Sequence, residues 1–185
     1  MKRLLILIIL LFSLNVQSQC VQGESATMTP IGPYQSGDVV LVNYTLNNFV
    51  HLNVNWIHAF QINLGSGWAS VTPTVAPISP GGLGGWIWDI QHTFPSGLNF
   101  GPGWRFANIL FPNWGTSYQG PFNLSFTLVV DQTCTPDDLS VSINVYGDCL
   151  TGGWSNGACC VDPPYGIYNG VVQNPAILTS NINHY

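Results

Sequence analysis

From Leu52 onward the chain alternates without a break: Leu52, Val54, Trp56, His58, Phe60, Ile62 and Leu64 fall on one face. His51, Asn53, Asn55, Gln61 and Asn63 take the other, with Ile57 and Ala59 between them. A period of two with one apolar face predicts a half-buried β-strand, because successive side chains point to opposite sides of a sheet. The same pattern recurs in Val40-Val42-Tyr44-Leu46, in Trp86-Trp88-Ile90-His92-Phe94, in Phe122-Leu124-Phe126-Leu128-Val130 and in Leu139-Val141-Ile143-Val145. Trp104 to Phe111 is a weaker candidate, apolar on both faces. Turn residues separate the runs, as in Ser36-Gly37-Asp38, Gly65-Ser66-Gly67, Ser79-Pro80-Gly81-Gly82, Pro95-Ser96-Gly97 and Pro112-Asn113. No helical stripe follows the first residues. The expectation is an all-β, antiparallel β-sandwich, immunoglobulin-like or jelly-roll-like; the uneven strand lengths favour a sandwich over a closed barrel.

The first residues read as an export signal. Met1-Lys2-Arg3 is basic, Leu4 to Phe12 is an unbroken apolar run, and Val16 and Ser18 suit a cleavage site. The run is too short to span a bilayer, which takes about 20 residues. Residues 1–18 are expected to form a signal peptide and residues 19–185 a single domain with a Cys-rich tail at 147–185. Cleavage one residue later would leave Cys20 as a lipidated terminus, but Gln19 before it fits that signal poorly. The expected location is secreted or on the outer cell surface.

Charge narrows the partners. The chain holds three Lys and Arg against eight Asp and Glu, a formal net charge of −5. Lys2 and Arg3 belong to the leader, so Arg105 is the sole Lys or Arg of the mature chain. Phosphate recognition runs on clustered cations, so no nucleic acid is expected as a partner, and no anionic membrane. Seven tryptophans and many β-branched residues speak against disorder.

The five cysteines are Cys20, Cys134, Cys149, Cys159 and Cys160. Export makes oxidation the default. Neighbours such as Cys159 and Cys160 rarely bond to each other, so the expected pairing sets them against Cys134 and Cys149, a disulfide-pinned C-terminal extension. Cys20 is then left over, as a free thiol, a link to another chain or a lipid site.

Enzymatic motifs are lacking: no G-x-S-x-G elbow, Walker loop, H-E-x-x-H or dinucleotide fingerprint occurs. His58 and His92 fall on apolar faces and read as core histidines; an acid–base or metal role would need a carboxylate beside them. The stretch Asp131 to Asp138, with Asp148, offers oxygen ligands to calcium without the EF-hand spacing, and reads first as turn chemistry. No other cofactor is called for. Trp56, Trp86 and Trp88 read as core. Trp68, Trp104, Trp114 and Trp154 neighbour glycines or turn segments and are the candidates for stacking on a ligand.

Asn55-Trp56-Ile57-His58-Ala59-Phe60 with Leu64-Gly65-Ser66-Gly67-Trp68, and Asp138-Leu139-Ser140-Val141 with Gly147-Asp148 and Thr151-Gly152-Gly153-Trp154 before Cys159 and Cys160, together resemble secreted β-rich proteins of gliding bacteria. Cys149 stands where that pattern has glycine. Such proteins are often displayed on the surface through type IX secretion, and the resemblance implies surface location and adhesion, with no catalytic residue. The leading expectation is a non-catalytic surface module for adhesion or matrix binding, with an extracellular glycan or protein surface as partner. A carbohydrate-binding domain using the turn tryptophans is the alternative, and an exported hydrolase the next.

Overall fold

The computed structural model describes residues 20–50, 55–93, 99–111, 114–132, 137–148 and 162–173. The expected signal peptide, Cys134, Cys149, Cys159, Cys160 and Trp154 lie outside the described residues. The strands are β1 (Val21–Thr29), β2 (Val39–Phe49), β3 (Ile57–Leu64), β4 (Trp68–Val75), β5 (Gly84–Asp89), β6 (His92–Thr93), β7 (Asn99–Phe100), β8 (Gly103–Asn108), β9 (Phe122–Val130), β10 (Val141–Gly147) and β11 (Tyr165–Tyr168). One sheet runs β1-β2-β9-β4, the other β11-β10-β3-β8-β5, and β6-β7 form a short ribbon. Every strand pair in the sheets is antiparallel, and no helix occurs among the described residues.

The alternation read from the sequence is what closes the two sheets on each other. Val40, Val42, Tyr44 and Leu46 of β2 and Phe122, Leu124, Phe126 and Leu128 of β9 meet Phe60 and Ile62 of β3 and Val141, Ile143 and Val145 of β10 in one core. Phe60 ties the layers, 6.1 Å from the Tyr44 ring and 5.6 Å from Phe122. Each large apolar side chain buried this way stabilises the fold by roughly 1.5–3 kcal/mol. Gly103 is required where β8 crosses β3, since a Cβ there would run into the Phe60 carbonyl.

Several expectations are corrected. The alternation of β3 is broken by a bulge, the register shifting between Tyr146 and Gly147. Ile57 and Phe60, three residues apart, therefore both join the main core, while Ala59 packs with Phe100 in a second cluster. The run from Trp86 to Phe94 is not one strand: β5 ends at Asp89, Ile90 is 74% exposed, and His92 pairs separately with Phe100. The edge strands β1, β4 and β11 escaped the sequence pattern because each faces solvent along part of its length. Pro73 in β4 breaks no ladder that a central strand would need, as β4 lies at a sheet edge.

Cys20, left over in the sequence pairing, is buried and disulfide-bonded. Its backbone N–H and that of Val21 donate to Asp162 Oδ2 at 2.8 and 2.7 Å, fastening the start of β1 to the segment before β11.

Candidate functional site

At one end of the fold the entry to β3, the exit of β10 and residues 114–117 converge on Asp148. This carboxylate is fully buried. Trp56 N–H donates to its Oδ1 at 3.0 Å, Gly115 N–H to its Oδ2 at 3.0 Å, and Asp148 N–H donates back to the Trp56 carbonyl at 2.7 Å. Thr116 N–H donates to the Ile57 carbonyl at 2.9 Å, continuing the seam. A Cβ at Gly115 would collide with the Ile57 carbonyl, so only glycine lets the backbones approach this closely.

This scaffold presents an aromatic corner. Phe111 and Trp114 stack, centroids 4.0 Å apart and planes 22° apart, and Trp56 stands perpendicular to Trp114 at 5.9 Å and 89°. Trp114 N–H donates to the Phe111 carbonyl at 2.8 Å, and Asn108 Oδ1 accepts from Leu110 and Phe111 N–H at 3.0 and 3.1 Å, which holds Phe111 in place. Beside the rings lies a hollow of about 160 Å³, closed by Thr116, Ser117 and the bare backbone of Gly81 and Gly82. Gly82 N–H bonds back to the Ser79 carbonyl at 3.1 Å, and Gly81 sits at φ +78°, the left-handed position of a type II turn led by Pro80. Among the described residues, none that lines the hollow is charged. Its rim continues into exposed Leu83, Ile109 and Leu110.

The four tryptophans singled out for ligand stacking therefore separate. Trp114 lines the hollow. Trp68 and Trp104 do not form a platform: they are 8% and 7% exposed and belong to the core, against Tyr34 and Trp88 respectively. Trp154 lies outside the described residues. Trp56, read as core, and Phe111, read as the end of a weak strand, are the residues the sequence reading missed. The available signal was the aromatic pair Phe111 and Trp114 flanking the Pro112-Asn113 dipeptide in the sequence.

The histidines divide as well. His58 is completely buried, and burial pushes its pKa down to about 3, with the Arg105 charge adding to the effect and a hydrogen bond to the Trp114 backbone opposing it. His92 is not a core residue but half-exposed, with its pKa lowered by burial and by Arg105 against the opposing pull of Asp89. Asp89 Oδ2 accepts from Arg105 Nε at 2.8 Å and lies 3.9 Å from His92 Nδ1. A carboxylate is thus present beside His92, but it is engaged by Arg105.

The acidic residues considered for calcium spend their oxygens locally. Both Asp148 oxygens accept backbone N–H groups; Asp138 accepts from Ser140 N and Oγ at 2.8 Å each, and Asp131 from Gln132 N at 2.7 Å. No cluster of three or more His, Cys, Asp or Glu that could hold a metal occurs among the described residues. A larger hollow, about 360 Å³, opens between β1 and β11 against Ile31, Tyr34 and Tyr168, but the Tyr34 hydroxyl there already donates to the Pro30 carbonyl. No protein-family model, curated protein or solved structure matches the chain.

Proposed function

We propose that this is an exported, non-catalytic β-sandwich module that adheres to an extracellular surface or matrix through the Trp56–Phe111–Trp114 corner. The observation that carries the reading is the exposed Phe111–Trp114 stack beside a hollow whose described lining is uncharged, held by the buried Asp148 hydrogen bonds. Half-exposed aromatic rings next to exposed Leu83, Ile109 and Leu110 form the kind of apolar patch that marks interaction sites. The strand order β1-β2-β9-β4 against β11-β10-β3 supports the immunoglobulin-like form of sandwich, with β5 and β8 as an added hairpin at the edge of the second sheet. In a jelly roll the hairpin neighbours β1-β2 and β10-β11 would not sit side by side in one sheet.

Export rests on the leader and gains support from a disulfide at Cys20, since such bonds persist in oxidising compartments. A sulfur held in a disulfide cannot also carry a lipid thioether, which argues against the lipoprotein reading. The near-complete burial of Cys20 argues for a bridge within the chain rather than to another one.

Retention of the purified, oxidised protein on fixed bacterial cells and on their shed matrix tests the reading. Wild type and Ile31→Ala should be retained, Phe111→Ala should wash off. Equal retention of Phe111→Ala and wild type would remove the corner from the function.

A further inference from the structure

We propose that the ligand of this corner is a neutral polysaccharide, recognised through one pyranose ring seated against Phe111 and Trp114. The proposal rests on the adhesive reading of the corner given above and adds the ligand class.

The geometry selects for a flat-faced ligand. Because Phe111 and Trp114 lie nearly parallel and in contact, each covers one face of the other. What remains to a ligand is a flat outer ring plane, Phe111 being the more exposed of the two, with Trp56 perpendicular to Trp114. A pyranose presents such a plane in its axial C–H groups, ringed by hydroxyls. A spherical quaternary cation needs several ring faces turned inward at once, and a stacked pair does not supply them.

The polar groups suit hydroxyls. Asn108 uses its Oδ1 on two backbone N–H groups, which leaves its amide N–H₂ as a donor at the hollow. Thr116 Oγ1 accepts from Tyr118 N at 3.2 Å and keeps its own O–H to donate. Ser117 is exposed at the rim. Neutral donors and acceptors beside a ring face, with no cation among the described residues of the lining, match a sugar without carboxylate or sulfate. Arg105 does not change this, because Asp89 holds it and it does not line the hollow. The volume of about 160 Å³ is below the ~300–1,000 Å³ of drug-sized sites. It suits one sugar ring of a chain whose remainder runs over Leu83 and Leu110.

The test is tryptophan fluorescence of the oxidised protein, titrated with neutral hexasaccharides of glucose, xylose, mannose and N-acetylglucosamine. Oligogalacturonate and choline serve as acidic and cationic arms. At least one neutral sugar should shift the emission saturably, with affinity falling about tenfold or more in Phe111→Ala and unchanged in Ile31→Ala. The proposal is overturned if no neutral sugar binds, if only oligogalacturonate or choline does, or if Phe111→Ala binds as tightly as wild type. Should the sugars fail while Phe111→Ala still loses retention on cells, the ligand class alone is wrong. Should Phe111→Ala keep its retention, the adhesive reading of the corner is wrong too.

Discussion

Asp148 and Trp56 hold each other by two reciprocal hydrogen bonds: the Trp56 N–H reaches Asp148 Oδ1 at 3.0 Å, and the Asp148 N–H reaches the Trp56 carbonyl at 2.7 Å. The second carboxylate oxygen takes the Gly115 N–H, so one side chain locks the aromatic corner to the end of β10. Asp148→Ala strands two backbone donors, each costing about 1–3 kcal/mol when buried. A fall in unfolding free energy in that range or above is expected in urea titration, with the Trp56 and Trp114 indole signals displaced in NMR spectra. A variant of unchanged stability would show that the carboxylate does not organise the corner.

His58 sets a pH dependence. Its folded pKa is lowered from 6.5 to about 3, so the unfolded chain binds the proton more readily. Stability is unaffected by this group above 6.5 and falls as pH drops from 6.5 towards 3, by about 1.4 kcal/mol per unit at most. His92, also lowered, acts in the same sense, whereas the carboxyl of Glu24, raised by burial, favours the folded state as pH falls through its range. The measurement is therefore the difference between wild type and His58→Gln at pH 7 and pH 4.5. The slope between these values should flatten in the variant; parallel profiles would rule out His58 as its source.

Arg105 is the one Lys or Arg among the described residues, and Asp89 is its partner at 2.8 Å. Arg105→Met keeps the stem and removes the charge-assisted hydrogen bond, for which about 1.5–3 kcal/mol is expected, less where solvent reaches Asp89. Thermal denaturation checks the loss. Retention on cells at a temperature where the variant is folded should match wild type, because Arg105 does not line the aromatic hollow.

Cys20 should resist iodoacetamide in denaturant until a reductant is added. Asp162, two positions after Cys160, holds the Cys20 N–H, so non-reducing peptide mapping is expected to recover Cys20 joined to the Cys159–Cys160 peptide. Reduction should lower stability by about 2–4 kcal/mol. Labelling of Cys20 without reductant, or its recovery in a peptide with Cys134, would break this expectation.

The amino-acid sequence by itself determined that the chain is built of strands. Period-two alternation in β2, β9 and β10 is a local property, and a strand buried on one face carries it in its own residues. The turns were legible for the same reason: Ser79-Pro80-Gly81-Gly82 contains the proline and the glycine its geometry demands. The edge strands were not, since β1 and β4 leave most of their residues in solvent and carry weak alternation. Tertiary structure alone decided which tryptophans are core and which are exposed. Trp68 and Trp104 sit beside glycines as Trp114 does, and nothing in that spacing separates them. Burial is settled by what packs on the ring from distant parts of the chain, Tyr34 on Trp68 and Trp88 on Trp104. The corner itself joins Trp56, Gly115 and Asp148, residues far apart in sequence that only the lateral pairing of β3 with β10, and the bridge from Ile57 to Thr116, bring within hydrogen-bond reach.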